Sequence, residues 1–580
     1  MLCAMSLMLT LTACGTTGNT EDYSNTTLTG KVTTIDGSSV TIQLGELTEA
    51  EQPAEMPQGD MGSGEMPENA DKSGERQTPP EKPDGTDESG DGQTPPEKPD
   101  GDGGEAPDDM SQEQFTEGDG TATLDLGDAG IVEETMGDNA EASLADIEEG
   151  DILVVEVGQN NAVQSVTIKN LGGMGSGFGG SGEVNQGSAA NTIDENGTYA
   201  DETYTSEGDD ENALRVDGAD VTLTGITVDK SAGATSNTED GDFYGMNAGL
   251  LATNGATVTL TDVTVTTDAQ NGNGVFSYGE NTVVNISDST ITTTKDNSGG
   301  IQTTGGGTTN AANLTVHTSG NSAAAIRSDR GGGTVNVDGG TYTSSGVNSP
   351  AVYSTADITV KNAQLTAEHS EALVVEGKNS IALENCDVTG NMSDTEGTSS
   401  DENVHNVMIY QSMSGDADVG TAKFSMHGGS LTAQNGDMFY ITNTSCTLEL
   451  SGVTLANQDT AANLMTVTGN SASHGWGNAG ENGAQVTVTA DAQTLEGTIT
   501  VDTISTLDMT LSNGSSFTGT INIVDNAQNG EAVADNAVVT VEDGCTWTLT
   551  GDCTVTSLTN HGTINFNGHT ITLADGTVLK

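Results

Sequence analysis

Aromatic and basic residues are what this 580-residue chain most lacks: 3% of it is Phe, Trp or Tyr, and 15 Lys and Arg face 86 Asp and Glu, for a formal charge of −71. So acidic a chain disfavours nucleic acids and anionic lipid surfaces as direct partners, and its surface must stay solvated or recruit cations. Cysteine is scarce too, with six in all and none in Cys-Xaa-Xaa-Cys spacing, which speaks against a structural zinc site. Cys545 and Cys553 lie close enough in sequence to pair, but single buried thiols are the preferred reading for Cys386, Cys446, Cys545 and Cys553. The 3.6-residue hydrophobic period of helices is absent throughout. No Gly-Xaa-Ser-Xaa-Gly nucleophile elbow occurs among the serines.

What is present begins with a short apolar run, MLCAMSLMLTLTACG. A helix across a bilayer needs roughly 20 residues, so this run reads as the apolar core of a secretion signal. Its ending, Leu11-Thr12-Ala13-Cys14-Gly15, resembles the lipobox of bacterial lipoproteins. That resemblance implies a diacylglyceryl group on Cys14, which would become the mature N-terminus and hold the protein on the outer face of the cell membrane. No Lys or Arg precedes Lys31, so the true start is expected upstream of Met1.

Residues 1–14 are thus the signal and 15–25 a tether. Residues 26–170 read as a small β-domain, a barrel or sandwich, because 27–45 and 150–170 alternate apolar and polar residues and Asp36-Gly37 marks a hairpin turn. Residues 46–114 interrupt it. Glu46 to Asp109 holds twenty Asp and Glu and most of the prolines, with QTPPEKPDG at both 77–85 and 93–101, and this composition predicts a disordered loop. A glycine-rich hinge, 171–189, leads to a separate body, 190–580.

That body repeats one phrase: NSGGIQTT (297–304), NSAAAIRS (321–328), NSPAVYST (348–355) and HSEALVVE (369–376). A second phrase interleaves with it, as in VTLTGITVD (221–229), VTLTDVTVT (258–266) and VNISDSTIT (284–292). These are short strands of Val, Ile and Thr, broken by Asp, Asn or Gly. A unit of about 25 residues has room for two or three strands and is too short for a four-stranded propeller blade, so each unit is one coil of a parallel β-helix. The repeat places Gly300, Ala325 and Ala351 in one column of small residues facing a narrow core, with Asn297, Asn321 and Asn348 stacked at a turn and Ser349 facing that turn. A C-terminal cap closes the stack.

These repeats resemble the right-handed parallel β-helix proteins secreted by bacteria, a class that includes pectate lyases, polygalacturonases, adhesins and non-catalytic polysaccharide-binding lipoproteins. The resemblance covers about two-thirds of the chain and implies fold more than activity. A lyase-like reading needs a calcium-holding carboxylate cluster and a basic residue. The clustered arginines, Arg327-Ser328-Asp329-Arg330, are the one candidate for the basic residue and read instead as a surface or interaction turn. A polygalacturonase-like reading finds Asp209-Asp210 and His427-Gly428 but lacks the remaining signatures.

Three insertions stretch the period and should leave the stack as loops, often on a binding face. The first, 231–247, carries Glu239, Asp240 and Asp242 beside Phe243 and Tyr244. The second, 391–406, carries Asp394, Glu396, Asp401 and Glu402 beside His405. The third, 469–485, carries His474 and Trp476. Carboxylates with exposed aromatics suit sugars: rings stack on a pyranose face while carboxylates hold hydroxyls or a calcium ion. None of the loops has EF-hand spacing. The expected function is non-catalytic, adhesin-like binding of polysaccharide or host glycan by a monomer, with Ca²⁺ as the one candidate cofactor and membrane contact through the lipid alone. A polysaccharide lyase or glycosidase on the same fold is the alternative, and a surface stalk the third. A coil-face cluster of three or more carboxylates with a base is the feature that separates enzyme from binder.

Overall fold

The computed structural model describes Tyr23 and residues 26–49, 113–127, 129–134, 139–142, 144, 147, 152–158, 161–169, 184–393 and 402–580. Cys14, residues 50–112 of the acidic tract, and 170–183 of the hinge lie outside them. The chain divides into two units, Met1–Met174 and Gly175–Lys580.

The first unit is one seven-stranded sheet, in the order Glu113–Asp125, Ser39–Glu49, Thr26–Asp36, Ile152–Val157, Val163–Lys169, Gly130–Glu134, Asn139–Ala142. Neighbours are antiparallel except for the parallel pair Gly130–Glu134 and Val163–Lys169. The alternation read in the sequence puts Val32, Val40, Ile42, Leu124, Leu153, Val155 and Val166 into its core. Gly37, with φ of 61°, makes the expected hairpin turn.

The second unit is a parallel β-helix. Each regular coil gives one strand to a 15-stranded sheet and two short strands to a 22-stranded sheet, as Leu250–Thr253, Thr257–Thr261 and Thr264–Thr267 do. Inward residues of the 15-stranded sheet stack in register: Leu250, Val275, Ile301, Ile326, Val352, Leu373, Val407 and Phe439 form one core column. Stacking of β-branched and aliphatic side chains at one strand spacing fills this core, so few aromatics are needed.

The small-residue column is present. Ala325 and Ala351 are fully buried, and a Cβ added at Gly300 would lie 2.3 Å from Val316 Cγ1 and 2.5 Å from the Ala325 carbonyl oxygen. The turn column differs from expectation by one residue. Asn297, Ser322 and Asn348 adopt left-handed φ of 56°, 52° and 52°, and Asn321 does not take part. The cause is the extra alanine of NSAAAIRS, which puts Ser322, and not Asn321, four residues before the core position Ile326. Ser349 is fully buried rather than turned outward: its Oγ accepts from the Ala323 amide at 2.9 Å and donates to the Gly320 carbonyl at 3.0 Å. The asparagines that do ladder, Asn285, Asn310 and Asn336, bond one to the next at 2.9 and 3.0 Å on the 22-stranded sheet. All four cysteines of the helix are free and buried.

Candidate functional site

Residues that alternate with the core column point out of the 15-stranded sheet. Read coil by coil they are Phe276, Gln302, Arg327, Tyr353, Val374, Met408 and Tyr440. Two residues further along their strands lie Glu376 and Tyr410, which are register partners. This face is where the insertions return.

The first insertion folds back as a helix, Thr238–Tyr244. Asn237 caps it by accepting from the Glu239 amide, and Gly245 ends it at φ of 80°. The sheet anchors its carbonyls: Gln302 Nε2 donates to Asp242 O at 2.7 Å, and Thr304 Oγ1 to Phe243 O at 2.6 Å. Asp242 is thereby brought to Arg327. Arg327 Nη1 lies 3.1 Å from Asp242 Oδ1, and its Nε 2.8 Å from Asp329 Oδ2, so one guanidinium sits between two carboxyls. Gln302 Nε2 is 3.1 Å from the same Asp329 oxygen. Arg327 and Asp329 side chains are each only 10% exposed, so the supposed surface turn is instead a buried ion cluster.

Burial pushes the Asp329 carboxyl up; Arg327 opposes this and Asp242, Asp416 and Glu376 add to it, leaving it at about 8. Burial likewise raises Asp242, again against Arg327. Burial alone would lower Arg327, but its two carboxylates more than reverse that, and it stays charged.

The rest of the cluster comes from a segment that the sequence reading passed over, 411–420. Arg330 Nη2 donates to Asp416 Oδ1 at 2.8 Å, and the guanidinium carbon of Arg330 lies 4.1 Å above the Phe243 ring. Ser414 Oγ donates to Asp416 Oδ2 at 2.9 Å and lies 2.8 Å from Ser412 Oγ. Ser412 in turn donates to Glu376 Oε1, and the Tyr353 and Tyr410 hydroxyls reach Glu376 Oε2 at 2.5 and 3.3 Å. Burial raises Glu376, while these three hydroxyls favour its ionised form. Beyond it the third insertion lays Trp476 edge-on to Tyr410, at 5.0 Å between centroids, with His474 stacked on Trp476 at 4.5 Å.

One cleft of about 560 Å³ runs along this face, with Arg327, Asp329, Glu376 and Asp416 among its polar groups and Tyr353, Tyr410, His474 and Trp476 along its aromatic side. Comparison with known proteins finds no matching family, no matching curated protein and no matching solved structure.

The candidate residues chosen from sequence are therefore placed as follows. His474 and Trp476 line the cleft, with Trp476 itself only 5% exposed between Tyr410 and His474. Phe243 is 8% exposed and covered by Arg330, so it is not the open ring expected; Tyr244 packs edge-on to Tyr278 at 5.6 Å. Glu239, Asp240 and Asp242 diverge. Glu239 is exposed, Asp240 accepts from Asn185 Nδ2 at 2.9 Å, and Asp242 takes Arg327. Asp394, Glu396 and Asp401 fall outside the described residues. Glu402 accepts from the Ser471 amide at 3.2 Å and from its hydroxyl, tying the second insertion to the third. His405 is buried, stacked on Tyr440 at 5.2 Å, and burial lowers its pKa. Among the described residues no group of three or more His, Cys, Asp or Glu is arranged to hold a metal ion.

Tyr353, Glu376, Tyr410, Ser412 and Asp416 were missed altogether. One signal was available for the last two: Val407 and Phe439 are register partners 32 positions apart, whereas Val275 and Ile301 are 26 apart, so a fourth excursion had to lie between them.

Proposed function

We propose that this protein binds carbohydrate in the cleft on the 15-stranded sheet, as a lipid-anchored extracellular protein held through Cys14. The observation that carries the reading is the convergence of aromatic rings, hydroxyls and carboxyls from separate segments in one open groove. Sugar rings offer apolar faces to aromatics and hydroxyls to carboxylates, and this groove supplies both. His474 is the exposed ring, with Trp476 supporting it from beneath.

The acidity of the groove sets the ligand's charge. Neutral chains would enter unaided, whereas a uronate polymer would need a divalent cation between the two sets of carboxylates. The test is a glycan-array screen of the full chain with calcium and with chelator, followed by calorimetry of hits against His474→Ala. Binding of a neutral glycan in both conditions, weakened in the variant, supports the reading; absence of any glycan hit refutes it. A second reading, cleavage of the bound chain, is favoured by one observation: Asp329, Glu376 and Asp416 all line the groove.

A further inference from the structure

The three carboxyls of the cleft are held differently, and the difference sorts them by chemistry. Glu376 is 1% exposed and accepts from three hydroxyls, so it fixes Tyr353, Tyr410 and Ser412 and has little left to offer a ligand. Asp416 is 26% exposed on its side chain and paired through Oδ1 with Arg330. Asp329 receives both of its donors, Arg327 Nε and Gln302 Nε2, on Oδ2. Its Oδ1 has no protein donor among the described residues, and Asp329 lines the cleft.

Charge balance then decides where a proton sits. Arg327 is the cation in direct contact with both Asp242 and Asp329, and one guanidinium offsets one carboxylate. Beside them Gln302 Oε1 and Asn271 Oδ1 are buried acceptors with no donor. Two ionised carboxyls here would leave a buried charge uncompensated, which a protein avoids by protonation. Arg327 and the Gln302 amide favour its ionised form, while the carboxyls around it oppose that: Asp242 from the helix, Glu376 from the strand two places along the sheet and Asp416 from the 411–420 segment. Its raised value, about 8, agrees with that balance.

We propose that the cleft hydrolyses a glycosidic bond in a neutral polysaccharide, with Asp329 as general acid through Oδ1 and Asp416 as general base. The inference rests on the carbohydrate-binding reading. The Asp329 proton passes to the bridging oxygen as its bond to the anomeric carbon breaks. A water oxygen bonds to that carbon while Asp416 takes the water's proton, and solvent then reprotonates Asp329 and deprotonates Asp416. One water is consumed per bond. Asp416 is bound by Arg330, the residue next to Asp329, so acid and base flank one stretch of groove. Two carboxyls in one groove, one to give a proton and one to take it, are what such a reaction needs.

The experiment uses the full chain and the neutral glycans of the array, with new reducing ends and affinity measured on the same ligand. The expected result is release by the wild type. Asp329→Asn and Asp416→Asn should each slow release at least about 100-fold, the range for loss of an acid–base group, while binding stays within a few-fold and the melting temperature is retained. Release by the wild type should also decline as pH rises through about 8, where Asp329 loses its proton. Binding without release by the wild type overturns the catalytic inference and leaves the binding reading standing. Failure to bind any neutral glycan removes both. Release by Asp329→Asn at the wild-type rate would assign the acid elsewhere and overturn the proposal.

Discussion

Replacing Arg327 by Met should destabilise the β-helix unit by an amount that depends on pH. Methionine fills similar volume but leaves Asp242 and Asp329 without the nitrogens now 3.1 and 2.8 Å away. Removing one partner of a buried ion pair costs about 3–5 kcal/mol, because the remaining charge stays desolvated. Here two carboxyls are stranded, so the upper part of that range applies where both are ionised. Both already have raised values, and loss of the cation raises them further. A group whose folded pKa exceeds its unfolded one is most favourable to folding below the unfolded value, near 4, and that advantage is lost as pH rises through the folded value. The penalty should therefore be smallest at pH 5 and largest at pH 8. Chemical denaturation of wild type, Arg327→Met and Arg327→Met/Asp329→Asn at both values measures it, and the double variant should recover part of the loss at pH 8. A penalty equal at the two pH values, with no recovery, would show that Arg327 matters for packing alone.

Other outcomes follow from the same geometry. Ala351→Trp should cost roughly 1–3 kcal/mol or more by overpacking a column with no free volume, and Ser349→Ala about 1–3 kcal/mol because the buried Ala323 amide loses its acceptor; both are read from denaturation midpoints. With Trp547→Phe, Trp476 becomes the sole tryptophan, and a glycan entering the cleft should change its emission; an unaltered spectrum at saturation would place the ligand elsewhere. Expressed behind a secretion signal in a lipoprotein-processing bacterium, the protein should partition into detergent and Cys14→Ser should not, whereas equal partitioning would remove the anchor.

The fold was legible because every coil restates the same constraint: an aliphatic residue must meet its counterpart one strand spacing away, and a turn must follow. Repetition made Gly300, Ala325 and Ala351 readable even though one added alanine hid the shift from Asn321 to Ser322. The site was harder because its residues carry no local pattern. Arg327, Tyr353, Glu376 and Tyr410 are outward positions of separate strands, and they become neighbours only when the register is laid out coil against coil. Carboxylates within each loop drew attention to Glu239, Asp240 and Asp242, which diverge on a helix, and away from Asp329 and Asp416, which line one cleft from 87 positions apart in sequence. His474 and Trp476, which line the cleft, stand out in the sequence because the chain has only two tryptophans.

The cleft is lined coil by coil, by Arg327, Tyr353, Glu376 and Tyr410 on successive strands of the 15-stranded sheet, so its length is counted in strand spacings of about 4.8 Å. The stack thus acts as a ruler with discrete marks. Adding or removing one plain coil between two excursions would lengthen or shorten the groove by one mark while every inward column stayed in register. Groove length is in that sense a property of coil number, adjustable without changing the identity of any residue that lines it.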